Sequence, residues 1–157
     1  MDREASIAFA EKYLEDMLAF FGLNVAVAVT CDEDVIELSV PSTHLNGFLI
    51  GQHGATLKSL QMLISAALRA KEAEVQRVTV DIADYRRHQA ERLEERAREW
   101  CAHVVSSGEA MHLEPMNPAD RRVVHQVIQE YPSLVSESEG EGRTRHVVIQ
   151  VGDITEK

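Results

Sequence analysis

The sequence predicts an α+β fold made of two small α/β-sandwich-like domains joined by a long helix. Two observations carry this prediction. Along the chain, segments in which apolar residues recur every three or four positions alternate with short segments in which they recur every second position. Both kinds of segment occur in both halves. No Gly/Ser-rich or Pro-rich linker separates the halves, so the connecting helix at 84–106 itself joins them. We expect a first domain at 1–82 and a second at 83–157 that includes this helix.

Composition and charge narrow the class of protein. The chain has 157 residues, of which 45% are hydrophobic, so a core can form. No apolar run approaches the length of a membrane span, and we expect a cytoplasmic protein without membrane insertion. Cys31 and Cys101 lie far apart without a CxxC pattern, which favours buried thiols over a disulfide or metal pair. The net charge of −10 argues against simple nucleic-acid binding, which needs Lys and Arg at the phosphates.

An amphipathic helix is predicted over 3–21 and is ended by Gly22. A valine-rich strand follows over 23–30, then a turn at 31–34. The strand at 35–40 alternates in hydrophobicity and pairs back as a hairpin. The predicted inward-facing residues of the helix are Ile7, Ala10, Leu14, Met17 and Phe21.

A glycine loop follows the hairpin. Thr43 is expected to cap a short helix that runs into Ile50-Gly51-Gln52-His53-Gly54. Two glycines around two polar residues let a foreign backbone approach closely, and the N–H groups of the next helix suit a phosphate. Tight packing at a corner between two helices would equally require the glycines, and the spacing alone does not decide between these interpretations.

The helix after the loop spans about 54–70, and a third strand follows at 75–82. The first domain therefore has the order α-β-β-α-α-β. Lys58 lies one turn past the glycines, where it reaches a phosphate held by the loop or remains a solvated surface lysine. The predicted buried side of the helix is Leu57, Leu60, Ile64 and Ala67.

The connecting helix begins after Asp84, a plausible N-cap, and ends at 106–108. Its apolar stripe must pack on another element, which we expect to be the second domain. Trp100 lies on this stripe, which favours a place in the core over a platform for stacking bases. The predicted stripe is Ala90, Leu93, Ala97, Trp100 and Val104.

The last fifty residues predict a helix followed by two strands. Asn117 and Pro118 form a typical helix start, and Arg121 and His125 share one helix face because they are four residues apart. A strand beginning at Val135 leads into an acidic turn, and the closing strand is predicted at 143–149. The remaining histidines of this half and of the connecting helix show no metal-like spacing, so we expect no metal site. They are His88, His103, His112 and His146.

Two motifs resemble known nucleic-acid-binding domains. The GxxG loop at 51–54, set after a β-hairpin and before a helix, resembles the loop with which KH domains clamp single strands. The Met-Asn-Pro-x-x-Arg-Arg-x-x-His run at 116–125 and the Ser-Glu-Gly-Glu turn at 138–141 resemble an R3H domain. A KH domain, a long helix and an R3H domain, in that order, resemble the bacterial Jag (SpoIIIJ-associated) family over nearly the whole chain. Jag proteins often have a further N-terminal domain, and we expect none within these residues.

The resemblance implies roles for named residues. Residues 50–54 would form the KH loop, and Arg121 and His125 the R3H pair. KH loops usually carry a basic residue between the glycines, and the Gln-His pair here predicts weaker, pH-sensitive binding, since imidazoles titrate near neutrality. Arg121 would donate to a phosphate in fork geometry while His125 hydrogen-bonds or stacks beside it. Arg122, Arg143 and Arg145 would widen the basic face.

The alternative interpretation of the R3H pair is structural. Arg121 would then form an ion pair with Glu137 or Glu139, and His125 would pack under the sheet.

The resemblance implies a non-enzymatic regulator that binds single-stranded RNA, with single-stranded DNA left open as a ligand. It also implies a role in cell elongation, division or sporulation, with a small KH-domain protein or a second copy of the chain as partner. No metalloprotease, Walker or Gly-x-Ser-x-Gly motif is present, and no cofactor is expected. The alternative is a protein-interaction module whose acidic surface binds a basic protein.

Overall fold

A computed structural model describes residues 1–152 of the chain. The chain divides into two compact units, Met1–Arg86 and a second unit that begins at Arg87. The described residues form helices and two small three-stranded sheets, as expected for an α+β protein with two domains. Among the described residues, no helix is both long and apolar enough to cross a membrane.

The first unit has the predicted order α-β-β-α-α-β. Its sheet has the strand order β1-β2-β3, with an antiparallel first pair and a parallel second pair. Side chains of β2 and β3 alternate between buried and accessible, so one face of the sheet carries the core. The elements are α1 (Arg3–Phe20), β1 (Ala28–Asp32), β2 (Val35–Val40), α2 (Asn46–Ile50), α3 (Ala55–Ala70) and β3 (Arg77–Ile82).

The first helix and first strand differ from the prediction in detail. Leu18 is fully buried, whereas Phe21 lies past the end of the helix and is 42% exposed. Strand β1 starts at Ala28, because the valine-rich segment before it bonds to α1 at Val27. There the N–H of Val27 donates to Glu15 Oε2 at 3.0 Å, so it is satisfied by a side chain instead of a neighbouring strand.

Three further details of the first unit were predicted differently. Leu68, not Ala67, is the last buried residue of α3. The predicted turn at 31–34 is shorter, because β1 continues to Asp32 and only two residues connect it to β2. Thr43 does not cap α2, because the N-cap is Leu45 and no side chain caps the helix; the Thr43 Oγ1 instead accepts from the N–H of Leu45 at 3.2 Å, just before the helix.

The second unit contains a three-stranded antiparallel sheet with the order β4-β6-β5. The short strand β4 was not predicted. The closing strand begins at His146 instead of residue 143, because Gly142–Thr144 form a single 3-10 turn. The elements are α4 (Tyr85–Ser107, whose first two residues belong to the first unit), β4 (Met111–His112), α5 (Pro118–Ile128), β5 (Leu134–Glu139) and β6 (His146–Val151).

Helix α4 buries a slightly different stripe from the predicted one. Cys101 is fully buried, whereas Trp100 is half-buried beside it with the Arg96 guanidinium 5.1 Å from its ring centroid. Both cysteines are free thiols, and Cys31 is half-buried rather than buried. Burial, followed by the charge of Glu130, raises the pKa of Cys101, so this thiol stays protonated at neutral pH.

Candidate nucleic-acid interface

The glycine loop connects α2 to α3 through a left-handed backbone. Gly51 has φ 75° and ψ −179°, His53 has φ 55°, and Gly54 has φ 75°. These conformations suit glycine and, more rarely, short polar residues. Ile50 ends α2 and packs its half-buried side chain against the core of the first unit, so it supports the loop from beneath.

Close packing within the unit restricts a side chain at both glycines, and most strongly at Gly51. A Cβ on Gly51 would collide with the Thr56 hydroxyl and lie 2.8 Å from the Thr56 backbone nitrogen. A Cβ on Gly54 would approach the Tyr85 ring to 3.3 Å. The sequence could not separate this packing role from a binding role, and the packing role is present.

The loop also exposes groups that suit an anion. The side chains of Gln52 and His53 are exposed, and so is Lys58 in the second turn of α3. No side chain caps the N-terminus of α3. The N–H of Ala55 donates to the Gln52 carbonyl, so the N–H groups that follow it in the first turn are the ones without an intrahelical partner. The helix dipole places partial positive charge at the same end. The loop can therefore accept a phosphate. Lys58 is the one basic residue in the first half of α3, so it is the cation of this helix that lies near the loop.

The predicted R3H residues meet around what we term the arginine groove. It consists of two adjoining clefts of about 500 and 580 Å³ that share Pro118, Arg121 and Arg145. Arg122 and His125 line the first cleft, and Arg143 lines the second. Within the described residues, neither cleft is lined by an Asp or a Glu. The groove is therefore a local concentration of positive charge on an acidic chain.

Short segments beside β6 hold the groove in place. The chain after β4 continues alongside β6, where the Leu113 N–H donates to the Val147 carbonyl at 2.9 Å. This brings the Met116 carbonyl next to α5, where it accepts from Arg121 Nη1 at 2.7 Å. Arg145 Nη1 likewise donates to the Gly140 carbonyl at 2.8 Å. Each guanidinium is thus oriented by one hydrogen bond, and a guanidinium has five N–H donors.

The alternative ion pairs of Arg121 do not form. Along β5, Ser136 and Ser138 face α5, so Glu137 and Glu139 point to the opposite side of the sheet. In residues 1–152, no carboxylate lies within 4.0 Å of the Arg121 guanidinium. The charge of Arg121 is therefore available to a ligand.

His125 is held between α5 and β5 by both ring nitrogens. Its Nδ1 lies 2.6 Å from Ser136 Oγ, and its Nε2 lies 2.9 Å from Ser138 Oγ. Burial lowers the pKa of His125, and the neighbouring charges of Arg121 and Arg145 lower it further. The ring is therefore neutral at pH 7. Its hydrogen-bond partners are two hydroxyl groups rather than a carboxylate.

The lowered pKa of His125 predicts a loss of stability in mild acid. The unfolded chain binds more protons than the folded chain below the ordinary value of 6.5, so this contribution is complete above that pH and is lost as pH falls. Thermal unfolding of the wild type and His125→Gln should show a stability difference that shrinks between about pH 7.5 and about pH 5.5. A difference that is constant or grows in acid would contradict this assignment.

Sequence reasoning missed several residues of the groove. Ser138 belongs to the acidic-turn motif, but only the pairing of β5 with β6 shows that its hydroxyl reaches His125. The α5 periodicity could have found Gln126 and Gln129, since they follow Arg122 and His125 by four residues. The lining is completed by Pro115, Met116, Asn117, Pro118 and Gly142. Asn117 also caps α5 through a 2.8 Å bond from the Asp120 N–H.

Comparison with known proteins decides the family. Residues 8–82 match the family model described as "KhpA/KhpB, KH domain", and residues 89–150 match the "R3H domain" model. The chain belongs to the Jag family. Its KH domain contains the glycine loop, and its R3H domain contains the arginine groove.

Curated relatives of this Jag-family chain carry the name RNA-binding protein KhpB. The protein of Clostridium symbiosum is 34% identical over 143 residues, which are 90% of this chain and 64% of that protein. That of Streptococcus pneumoniae serotype 2 (strain D39 / NCTC 7466) is 33% identical over 91% of this chain and 42% of its own length. That of Bacillus subtilis (strain 168) is 31% identical over 80% of this chain and 64% of its own length. The chain thus spans between two fifths and two thirds of these relatives.

Proposed function

We propose that this protein is a non-enzymatic binder of single-stranded RNA that uses the arginine groove and the glycine loop. The observation that carries the proposal is the groove itself. Four arginines gather there without an acidic lining residue, on a chain whose net charge is −10. The four arginines can contact phosphates locally, although the net negative charge of the whole chain disfavours nucleic-acid binding. The RNA-binding name of the relatives supports the same ligand class.

In the groove, we assign phosphate binding to the arginines and a supporting role to His125. Arg121 and Arg145 are half-buried and oriented, which reduces the entropy lost when they bind a phosphate in fork geometry. Arg122 and Arg143 are exposed and extend the positive surface to neighbouring phosphates. Both nitrogens of His125 are already occupied, so its ring face is the part that remains for contact with a base.

In the loop, we assign weaker phosphate contacts to Gln52, His53 and the N–H groups that follow Ala55 in the first turn of α3. Gln52 donates without carrying charge, and the exposed His53 imidazole can donate beside it. Lys58 supplies the long-range attraction at this end of α3.

A second KH domain, from a small partner protein or from another copy of this chain, is the protein partner that we propose. The first unit exposes an aromatic cluster in which Phe21 contacts both Phe20 and Phe48. Phe20 is 88% exposed and Phe48 is 56% exposed. Exposed aromatic groups of this kind are enriched at protein interfaces.

The second candidate function is a protein-interaction module. The net charge of −10 favours it, because an acidic surface attracts a basic protein. This function needs neither a free Arg121 nor an open glycine loop. RNA binding that depends on those features distinguishes the two candidates.

The proposed function is tested by fluorescence anisotropy with a labelled single-stranded RNA across a salt series. The test variant is Gln52→Asp/His53→Asp, which adds two negative charges to the loop. Asp tolerates the left-handed backbone at residue 53, so the fold should survive. The matched control, Asn24→Asp/His103→Asp, makes the same charge changes at exposed positions outside the loop and groove.

We expect the wild type and the control to bind RNA with an affinity that falls as salt rises, and the loop variant to bind more weakly. An absence of wild-type binding at low salt would overturn the RNA proposal and favour the protein-interaction module. Equal losses in the control and the loop variant would remove the loop from the binding surface.

A further inference from the structure

Three potential metal ligands meet on the sheet of the second unit. His112 belongs to β4, Glu139 ends β5, and His146 begins β6, the central strand. Glu139 lies opposite His146, and His112 lies opposite Val148, two residues further along β6. Because alternate residues share a face, the three side chains emerge on one face of the sheet. Ser136 and Ser138, which bind His125, point to the other face, so this cluster is distinct from the arginine groove.

The distances within the cluster fit one metal ion. His112 Nδ1 lies 3.4 Å from His146 Nε2, and one ligand atom from each of the three residues lies within 4.8 Å of the others. Two imidazole nitrogens bound to a tetrahedral zinc ion, each at about 2.0 to 2.1 Å, are about 3.4 Å apart. The two rings therefore already have the nitrogen separation that such an ion imposes.

One of the two histidines is held in the tautomer that a metal requires. His146 Nδ1 lies 3.0 Å from the Thr144 carbonyl. A carbonyl oxygen only accepts, so Nδ1 carries the proton and the lone pair is on Nε2, the atom that faces His112. Metal-bound histidines are commonly oriented by such a bond from the second ring nitrogen to a backbone carbonyl. Without a metal, the same lone pair accepts a hydrogen bond from His112 Nδ1–H.

We propose that His112, Glu139 and His146 form a binding site for a divalent transition metal, with zinc as the best match. Two imidazoles and a carboxylate suit zinc, whereas magnesium and calcium prefer oxygen ligands alone. His112 and Glu139 are exposed and His146 is half-buried. A water molecule can therefore complete the coordination. An ion held there would link all three strands of the sheet, and this site does not depend on RNA binding.

Sequence spacing could not find this site. Thirty-four positions separate His112 from His146, and neither lies in a short histidine or cysteine motif. The unpredicted strand β4 is what brings His112 to the central strand.

The site is tested by isothermal titration of the full chain with zinc chloride, using His112→Gln, Glu139→Gln and His146→Gln. The matched controls are His88→Gln and His103→Gln, which remove exposed histidines on α4. We expect one zinc ion per wild-type chain and a dissociation constant raised by about tenfold or more in either histidine variant of the site. The controls should resemble the wild type. Zinc, but not magnesium, should raise the melting temperature of the wild type.

Two results would overturn the proposal. Zinc binding that is unchanged in His112→Gln and His146→Gln would place the metal elsewhere, and an absence of binding would leave only a hydrogen-bonded histidine pair. The metal-free variants should melt like the wild type, because His112 and Glu139 are exposed and His146 is only half-buried. If they do not, anomalous X-ray scattering from wild-type crystals soaked in zinc chloride decides, since a zinc peak must lie among the three side chains.

Discussion

Replacing both Arg121 and Arg145 with alanine is expected to weaken the binding of single-stranded RNA by about a hundredfold or more. Each guanidinium makes charge-assisted hydrogen bonds to phosphate under the proposed function, and such bonds contribute about 1.5 to 3 kcal/mol each. Both side chains line both clefts of the arginine groove. Two lost contacts should also make the slope of log affinity against log salt shallower by about 1.4 for a single strand.

The matched control for this experiment is Arg69→Ala/Arg98→Ala. It removes the same two charges from exposed positions outside the groove, and Arg98 already pairs with Glu130 at 3.4 Å. Anisotropy titrations at several salt concentrations, with circular dichroism to verify folding, measure both quantities. An equal loss in the control would mean that total charge, not the groove, governs binding. Unchanged affinity in the Arg121→Ala/Arg145→Ala variant would remove the groove from the binding surface.

Rules based on neighbouring residues predicted most helices and strands. They failed where the hydrogen bonds of one element are made by another element that is distant in the sequence. The spacing of apolar residues located the helices and five of the six strands, because burial of one face imposes that spacing. The predicted start of β1 was wrong because the Glu15 side chain, on α1, accepts a hydrogen bond from the N–H of Val27. Strand β4 was missed because two residues carry no periodicity and exist as a strand only through pairing with β6.

For the arginine groove as well, the sequence predicted local features and missed contacts between elements. The one-turn spacing of Arg121 and His125 was visible in the sequence, as was the cap on α5. The hydroxyl partners of His125 were not, because they depend on which face of β5 meets α5. The same alternation removes Glu137 from the neighbourhood of Arg121. A strand register therefore decides whether this arginine is free, and single-sequence patterns do not specify register across a connection.

Gly51→Ala is expected to destabilise the first unit by about 2 to 4 kcal/mol, the largest stability effect among our predictions. The combination of φ 75° and ψ −179° is accessible essentially only to glycine, and enforcing it on another residue costs about 1 to 3 kcal/mol. A methyl group would also collide with the Thr56 side chain and lie 2.8 Å from the backbone nitrogen of Thr56. Rotation of Thr56 cannot remove the second contact, because it involves the main chain of α3.

Gly47→Ala is the matched control, four residues earlier in α2. A Cβ there meets nothing within 4 Å, and alanine is the better helix former by about 0.5 to 1 kcal/mol. Calorimetric melting of the full chain should therefore show no loss for Gly47→Ala. For Gly51→Ala the transition of the first unit should fall by about 8 °C or more, at roughly 4 to 8 °C per kcal/mol for a unit of this size. If the two variants melted alike, the loop would relax around a side chain, and its glycines would be explained by ligand contact instead of by packing.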